Sequence, residues 1–445
     1  MAENDKTPNT DRASRTRTGL AIGAGVMGAV TASIGIVTPA QAVDYPSWND
    51  VQQAKSSVAN QQAMVSNITA LIGTLQSSVD AANVAAAKAA ETYLQAKLAL
   101  DRATDKEADL QKQAAAAADK AKTSQMRAGL LASHLAKSGG GDVTSQLMLN
   151  GGGSGSEADK LLFQLGTMSK LTEQSKAVYD QATKDKNAAE SLKAQATSAK
   201  SARQDLATQA DTALAAAQSA QSSAQAALAE QQSKSTELVA QLATLKNTSA
   251  QVEAAYLQGE QAKAAAAAAA EAQRKAAEAA ANNPPANSGG GGGGSSSGGG
   301  SSSGGSSGGG GGGGVVAPPN GNVVQTAIAY ARSQLGKPYV LGGAGPNTWD
   351  CSGLTMKAYA YAGVYIGGHS VNDQYYTARN NGQLVTYGAK QPGDLIFWGS
   401  GPGSFYHVGI YIGGGQMIAA PTEGDVVKIQ SVWGSPWSQV ARPSA

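Results

Sequence analysis

Apolar residues in the first part of the chain recur at the spacing of a coiled-coil seam. The intervals between successive members are 7, 3, 4, 3 and 4 residues along Val58, Val65, Ile68, Ile72, Leu75 and Val79. Such a stripe predicts a helix whose apolar face packs against another helix. The sequence around it is free of proline, so the helix is predicted over residues 49–137. Helical spacing resumes later and runs from about residue 157 to 281.

The two helical regions are separated by residues 138–156, which include the runs Gly139–Gly141 and Gly151–Gly153. Two long helices joined by a glycine-rich turn are typical of an antiparallel helical hairpin. We predict such a coiled-coil hairpin for residues 43–281. Beyond Val79 the seam is rich in alanine, so little apolar area is buried per turn. Weakly paired, fluctuating helices are the alternative interpretation.

The helical pattern ends at Asn283-Pro284-Pro285, because proline cannot continue a helix. Every residue from Ser288 to Gly314 is glycine or serine. A segment of this composition has no side chains with which to build a core and behaves as flexible coil. Residues 282–320 are therefore predicted to form a disordered linker.

Mixed helix and strand patterns follow the linker and predict a compact domain over residues 321–445. Helical spacing predicts a helix at Asn322–Gln334, with Asn322 as its N-cap, and a second helix at Cys351–Ala362. Apolar runs between turn residues predict strands at Leu395–Trp398, Tyr406–Ile412, Gln416–Ala420 and Val426–Ile429. Helices that precede a run of antiparallel strands indicate an α+β fold.

Composition agrees with this division of the chain. Sixteen of the 22 aromatic residues lie after Gly314, so only the last portion has the side chains of a conventional mixed core. The chain has 34 Lys+Arg and 32 Asp+Glu, which gives a formal net charge of +2. A nearly neutral chain gives no reason to expect a nucleic-acid partner.

The N-terminus carries the features of an export signal. It begins with basic residues at Arg12, Arg15 and Arg17. The uncharged stretch Gly19–Val37 follows, and Ala40-Gln41-Ala42 forms a cleavage site of small residues. We predict a signal peptide over residues 1–42, a mature chain that begins at Val43, and a secreted or cell-wall location. An uncleaved anchor is the alternative, because the uncharged stretch is longer than a usual signal core.

Cys351 is the only cysteine of the chain and cannot form an intrachain disulfide. His407 follows 56 residues later, in an apolar strand pattern. A cysteine with a histidine downstream is a candidate catalytic pair. The thiolate is the nucleophile, the start of a helix favours its negative charge, and the histidine moves protons. The alternative is a small buried cysteine without chemistry, although a free thiol is a liability in an exported protein.

Four motifs of this region resemble the NlpC/P60 family of cell-wall cysteine peptidases, in particular secreted members of actinobacterial type with an N-terminal coiled coil. In chain order, the matching segments are Gly336–Gly343, Trp349–Leu354, Pro392–Trp398 and His407–Gly413. The resemblance implies a papain-like fold and the cleavage of peptidoglycan stem peptides, at the bond between D-glutamate and the diamino acid that follows it. It also implies a role in wall growth or daughter-cell separation.

The resemblance implies roles for individual residues as well. Cys351 would be the nucleophile, and His407 would be the general base and acid. The residues that would line the site and hold polar groups of the stem peptide are Tyr339, Asp350 and Ser352. No cofactor is implied. His134 and His369 have no acidic or cysteine neighbours at the spacing of metal ligands, so no metal site is predicted.

A departure from the family pattern lies twelve positions after His407. The family usually places a polar residue there, often histidine, and such a residue orients the catalytic ring, whereas this chain has Ala419. Gln416, Thr422 or Glu423 is a candidate substitute, as is a backbone carbonyl or a water molecule. Two other functions stay open: an amidase of the same papain-like class that cuts the sugar–peptide bond, and an inactive cell-wall scaffold.

Gln146–Leu149 forms an apolar patch between the glycine runs of the predicted turn. The patch either folds back onto the helix seam or docks a membrane or division-complex protein, as coiled-coil regions of similar wall hydrolases are thought to do. The patch is the candidate partner site of the hairpin. The C-terminal domain is expected to bind a different partner, the peptidoglycan stem peptides.

Overall fold

The computed structural model describes residues 45–138, 155–282 and 316–445. Helices fill the described residues up to 282, and helices together with a sheet fill 316–445, which we call the C-terminal domain. The predicted signal peptide, the patch Gln146–Leu149 and nearly all of the predicted linker lie outside the described residues. Within them, no helix combines the length and the apolar character that crossing a membrane requires.

The described helical part consists of α1 (Trp48–Ala54), α2 (Val58–Ser138), α3 (Gly155–Lys246) and α4 (Ala250–Asn282). The prediction of one helix over 49–137 is wrong at residues 55–57, which separate α1 from α2. The prediction of one helical region over 157–281 also misses a break after Lys246. Asn247 has a φ of 54° there, and this left-handed conformation, which asparagine tolerates better than most residues, ends the helix.

α2 and α3 run antiparallel to each other. In three contacts, residues farther along α2 meet residues that come earlier in α3. The contacts are Gln61 with the carbonyl of Leu245, Glu107 with Arg203, and Lys120 with Asp185. The two charged pairs have nitrogen–oxygen distances of 2.5 and 3.0 Å. The predicted antiparallel hairpin of two long helices is confirmed.

Large apolar contacts between α2 and α3 concentrate where α2 begins and α3 ends. The buried cluster at that end contains Val51, Ala54, Ile68, Ile72, Leu75, Leu238, Leu242 and Leu245. Farther along, the buried apolar positions of the seam are mostly alanines, such as Ala121, Ala182 and Ala217. Because alanine buries little area per turn, the cross-helix ion pairs contribute much to fixing the register of α2 against α3 there.

The C-terminal domain begins with three helices and continues with a sheet. In order, its elements are α5 (Gly321–Arg332), α6 (Cys351–Tyr361), α7 (Val371–Asn380), β1 (Leu384–Thr386), a short 3-10 helix (Tyr387–Ala389), β2 (Leu395–Gly399), β3 (Phe405–Gly413), β4 (Gln416–Ala419), β5 (Lys428–Ser431) and β6 (Gln439–Ala441). The strand order is β1-β6-β2-β3-β4-β5, and every neighbouring pair is antiparallel. The α+β class is confirmed.

Several elements of this domain differ from their predicted positions. Asn320, not Asn322, caps α5, because its side chain accepts hydrogen bonds from the backbone N–H groups of Asn322 and Val323. The strand predicted at Val426–Ile429 begins two residues later, at Lys428–Ser431. The hydrophobic pattern does not predict α7, β1 or β6 at all.

The core of the C-terminal domain lies between α6 and the sheet. Leu354 and Ala358 of α6 are fully buried, in a cluster that includes the sheet residues Phe397, Val408, Ile410 and Ile418. Every buried member of this cluster falls between Ala327 and Ala441. The C-terminal domain thus has a hydrophobic core to which the hairpin contributes nothing, and a unit with its own core can fold alone.

Candidate active site

Asp350 and Cys351 stand at the N-terminal end of α6. Asp350 is the N-cap: its Oδ1 accepts a hydrogen bond from the Gly353 N–H at 2.7 Å, and its Oδ2 accepts one from the Gly342 N–H at 3.0 Å. One carboxylate thereby ties the Gly336–Gly343 segment to the start of the helix. Cys351 is the first helical residue, at the end of the helix whose dipole favours a negative charge.

The loop before the nucleophile folds so tightly that residue 343 must be glycine. The Asp350 N–H donates to the carbonyl of Gly343 at 2.8 Å. A Cβ on Gly343 would lie 2.8 Å from the backbone nitrogen of Trp349, closer than nonbonded atoms approach. The Gly342-Gly343 pair therefore lets this loop pack directly against the residues that precede Cys351.

The thiol of Cys351 is buried and protonated in this conformation. Burial, followed by the negative charges of Asp350 and Glu91, raises the pKa of Cys351 well above its ordinary range. Backbone N–H groups of Val408 and Ser352 act in the opposite direction and lower the pKa. The net shift is upward, so the thiol is neutral at neutral pH, and the start of a helix alone does not ionise it here.

His407 lies on β3, in register with Trp398 of the neighbouring strand β2. Its ring centroid is 5.2 Å from that of Trp398 and 5.5 Å from that of Trp433. Burial lowers the pKa of His407 to about 4, so the imidazole is neutral at neutral pH. A neutral imidazole can accept the proton of a thiol, which is the first task of a general base.

β3 brings Cys351 and His407 to neighbouring positions. The backbone N–H of Val408, the residue after His407, acts on the Cys351 sulfur. Nε2 of His407 is buried and has no hydrogen-bond partner within the described part of the chain. Ala419, at the family's third position, is buried in an apolar cluster that includes Trp398. The ring of His407 is therefore held by aromatic packing and not by a polar third residue.

The other candidates for the third position make contacts elsewhere. Gln416 pairs with Gly413, at the far end of β3 from His407 and roughly 20 Å along the strand. Glu423 accepts a hydrogen bond from the backbone of Leu341, and burial raises the pKa of its carboxyl group. Nε2 of His407 meets none of the polar candidates Gln416, Thr422 and Glu423.

The residues predicted to line the site make the following contacts. Burial, followed by the charges of Cys351 and Asp350, raises the pKa of the Tyr339 phenol well above its ordinary range, so Tyr339 lies within electrostatic reach of both. The Ser352 hydroxyl donates to Asp350 Oδ1 at 3.1 Å, and the Ser352 carbonyl accepts from Gln374 Nε2 at 2.8 Å. In this conformation the hydroxyl of Ser352 is engaged inside the protein.

His369 belongs to the site, although the sequence pattern does not predict it. Its Nε2 lies 2.7 Å from Asp350 Oδ2 and 2.8 Å from Asp350 Oδ1. His369 thus has an acidic neighbour in space that lies 19 positions away in the chain. Within the described ranges, no group of three or more His, Cys, Asp or Glu side chains is placed to hold a metal ion.

Replacing His369 with alanine should slow the reaction of Cys351 with iodoacetamide several-fold and move the rise in its rate to higher pH. The Asp350 charge raises the pKa of Cys351, and the hydrogen bond from His369 offsets part of that charge. Without it the thiolate is less populated at a given pH. The measurement is the alkylation rate of the isolated C-terminal domain against pH. His369→Arg again provides a side-chain N–H donor for Asp350 and should recover most of the rate, whereas identical profiles for all three proteins would contradict the role of His369.

The C-terminal domain is similar to known proteins. The NlpC/P60 family matches residues 336–442. The probable endopeptidase p60 of Listeria grayi is 43% identical over 111 residues, which is 25% of this chain and 20% of that protein. A probable endopeptidase of Mycobacterium tuberculosis is 39% identical over 107 residues, 24% of this chain and 25% of that protein. This chain thus spans only a fifth to a quarter of the length of these relatives.

Solved structures add a match that covers a whole domain. The crystal structure of the NlpC/p60 domain of the peptidoglycan hydrolase SagA is 39% identical to the matched part of this chain. The match covers 26% of this chain and 97% of that one, with a TM-score of 0.24.

Proposed function

Since this chain belongs to the NlpC/P60 family through its C-terminal domain, we propose that it is a cysteine-type hydrolase of peptidoglycan stem peptides. The observation that carries the proposal is the placement of Cys351 at the start of α6, capped by Asp350 and adjacent to the strand that holds the neutral His407. A thiol beside a neutral imidazole suits acyl transfer through a thioester. The printed names of its relatives, endopeptidase and peptidoglycan hydrolase, agree with this reaction.

In the proposed reaction, the Cys351 sulfur attacks the carbonyl carbon of the scissile amide while His407 takes the thiol proton. The tetrahedral intermediate collapses to a thioester as His407 passes this proton to the departing amine. A water molecule, deprotonated by His407, then attacks the thioester and releases the peptide acid and the free thiol. The backbone N–H groups of Val408 and Ser352 favour negative charge on the sulfur, which helps the proton transfer to His407.

The bond that we propose is the one between D-glutamate and the diamino acid, with the sugar–peptide amide as the alternative. Purified muropeptides digested by residues 316–445 and analysed by mass spectrometry distinguish the two. An endopeptidase releases fragments that begin with the diamino acid, whereas an amidase separates the sugar from an intact stem peptide. The same domain with Cys351→Ser is the matched control. A wild-type digest without any new mass would contradict the proposed function.

An inactive cell-wall scaffold is the second candidate, favoured by the unpartnered Nε2 of His407 and by the apolar Ala419. Thiol reactivity separates a scaffold from an enzyme. An activated cysteine reacts with alkylating reagents at mildly acidic pH, whereas an ordinary thiol reacts slowly there. Slow alkylation of Cys351 in the isolated C-terminal domain would favour the scaffold.

We place the enzyme outside the cytoplasmic membrane, in the cell wall, where peptidoglycan lies. The predicted signal peptide over residues 1–42 supports this location, and protein recovered from the wall or the medium should begin at Val43. A membrane or division-complex partner at Gln146–Leu149 stays a hypothesis. Localisation in cells of a variant with Leu147, Met148 and Leu149 all changed to serine tests it, and unchanged localisation would count against it.

A further inference from the structure

One face of α2 lies against the C-terminal domain beside the thiol site. The face is defined by Glu91, Leu98 and Arg102, which follow one another at intervals of seven and four residues, so their side chains leave the helix in one direction. We call these three residues the docking stripe. α2 packs against β3 and α7. β3 carries His407, and α7 begins at Val371, two residues after His369.

Glu91 is the centre of the docking stripe. Its Oε1 accepts hydrogen bonds from Ser370 Oγ at 2.6 Å, from the Asn372 N–H at 3.1 Å and from Asn372 Nδ2 at 3.0 Å. Its Oε2 accepts one from the Val371 N–H at 2.9 Å. Gln95 Nε2 of the same helix adds a fifth donor at 3.0 Å. Only 4% of Glu91 is exposed, so a buried carboxylate is fully supplied with donors, as such a group must be to remain buried.

The start of α7 offers what a carboxylate needs. The first N–H groups of a helix have no partner inside the helix, and the helix dipole adds positive potential at that end. Ser370, the N-cap of α7, accepts a hydrogen bond only from the Asp373 N–H. The N–H groups of Val371 and Asn372 are satisfied instead by Glu91, a residue about 280 positions earlier in the chain. The hairpin thereby completes the capping of a helix in another domain.

Both neighbours of Glu91 in the docking stripe fit the domain closely. The methyl carbons of Leu98 lie 2.9 Å from where a Cβ on Gly368 would stand, so a larger residue at 368 would push α2 away. Arg102 Nη2 pairs with Asp373 Oδ1 at 2.7 Å. Contacts with Gly368 and Asp373 flank the start of α7 on both sides of the Glu91 carboxylate.

Two further residues of α2 reach segments that adjoin the catalytic groups. Lys88 Nζ lies 5.8 Å from the centre of the Tyr406 ring, immediately before His407. A ring carbon of Tyr93 lies 3.9 Å from where a Cβ on Gly342 would stand, and Gly342 donates to Asp350. α2 therefore contacts the loop before the nucleophile and the strand of the general base.

The same contact acts on the chemistry of the thiol. The charge of Glu91 contributes to the raised pKa of Cys351, which puts the carboxylate within electrostatic reach of the nucleophile. Cys351, Tyr339 and His407 are all buried with α2 in place. A stem peptide must reach the sulfur, which is buried while α2 lies against β3 and α7. α2 thus opposes both substrate entry and thiolate formation.

We propose that α2 is a built-in inhibitor of the C-terminal domain, and that Glu91, seated at the start of α7, is the residue that holds the closed state. Activity then requires α2 to move off β3 and α7. A closed and an open state of this kind exchange populations when the contacts of one of them are weakened. The proposal concerns access to Cys351, which alkylation measures whatever reaction the protein catalyses. Only the measurement of muropeptide cleavage rests on the proposed function.

The test uses the full chain and its single cysteine. We compare the iodoacetamide alkylation rate of Cys351 in the wild type, in Glu91→Lys, in Arg102→Ala and in the control Asp80→Lys. Asp80 is exposed on the same helix, so its replacement makes the same charge change away from the docking stripe. Glu91→Lys should raise the rate by about tenfold or more, Arg102→Ala should raise it less, and Asp80→Lys should leave it at the wild-type value.

Circular dichroism confirms that each variant keeps its helical content, and Arg102→Ala, whose side chain is mostly exposed, decides the question if Glu91→Lys does not fold. Alkylation of both stripe variants at the wild-type rate would overturn the proposal. So would a wild-type chain that is alkylated as fast as the isolated domain. Faster alkylation without muropeptide cleavage by any variant or by residues 316–445 would leave the inhibitory contact standing and refute the proposed function.

Discussion

Replacing Cys351 with alanine should abolish the cleavage of muropeptides, with a loss of at least about 10³-fold in kcat, as when other hydrolases lose their nucleophile. The chain has no second cysteine, so no other thiol can take over the reaction. The change removes one sulfur atom from a nearly buried position, and the neighbouring core residues Trp349 and Leu354 stay in place. The measurement is the turnover of purified muropeptides by residues 316–445, with the thermal unfolding midpoint as the check on folding.

His407→Ala provides the parallel test of the proton-transfer role. Its loss should be similar, because a neutral thiol whose pKa is raised by burial does not ionise without a base to accept its proton. Lys428→Ala is a suitable control, since its ion pair with Asp425 is partly exposed on the surface of the same domain. A Cys351→Ala enzyme that retains a tenth of the wild-type turnover would exclude the cysteine mechanism.

Helix and strand periodicity located the elements that hold the thiol and the histidine, but not α7. The sequence of α7, Val371–Asn380, is mostly polar, and two of its buried residues are Asn372 and Gln374. These amides are buried because they are hydrogen-bonded, for example Gln374 to the carbonyl of Ser352 and to the hydroxyl of Thr355. Apolar spacing cannot reveal a helix whose inward face is polar.

The two shortest strands were missed for a different reason. β1 and β6 have three residues each, and an alternation of period two needs more positions than that to stand out. The N-cap of α5 shows the same limit on a finer scale. Asn320 and Asn322 are equally good caps by residue type, and only the backbone conformation selects Asn320.

Sequence motifs identified the parts of the site that are close in the chain, whereas its long-range pairs emerged only from the fold. Asp350 and Cys351 belong to one motif, but the Asp350–His369 pair spans a loop whose path the motifs do not define. The pairing of Glu91 with the start of α7 spans about 280 residues and two domains. Nothing in the alanine-rich sequence around Glu91 distinguishes it from the exposed acidic residues of the hairpin.

Replacing Arg442 with alanine should destabilise the C-terminal domain by about 3–5 kcal/mol, the usual cost of leaving a buried charge without its partner. Arg442 Nε and Nη2 bind the two carboxylate oxygens of Asp394 at 3.0 and 2.9 Å. The Asp394 side chain is completely buried and that of Arg442 is 6% exposed. Arg442 also donates to the carbonyl of Ala389 at 2.9 Å. The measurement is urea unfolding of residues 316–445.

Lys428→Ala is again the control, because a partly exposed ion pair such as Lys428–Asp425 contributes about 0–1 kcal/mol. The double variant Asp394→Asn with Arg442→Leu removes both charges and should lose less stability than Arg442→Ala alone, since no buried carboxylate is then left without a cation. An Arg442→Ala domain that is no less stable than the Lys428→Ala domain would show that the Asp394–Arg442 pair is not needed for stability. Asp394 leads directly into β2, whose Trp398 pairs with His407. Loss of the Asp394–Arg442 pair should therefore shift β2 and with it the active site. The alkylation rate of Cys351 in Arg442→Ala should then differ from that of the wild-type domain.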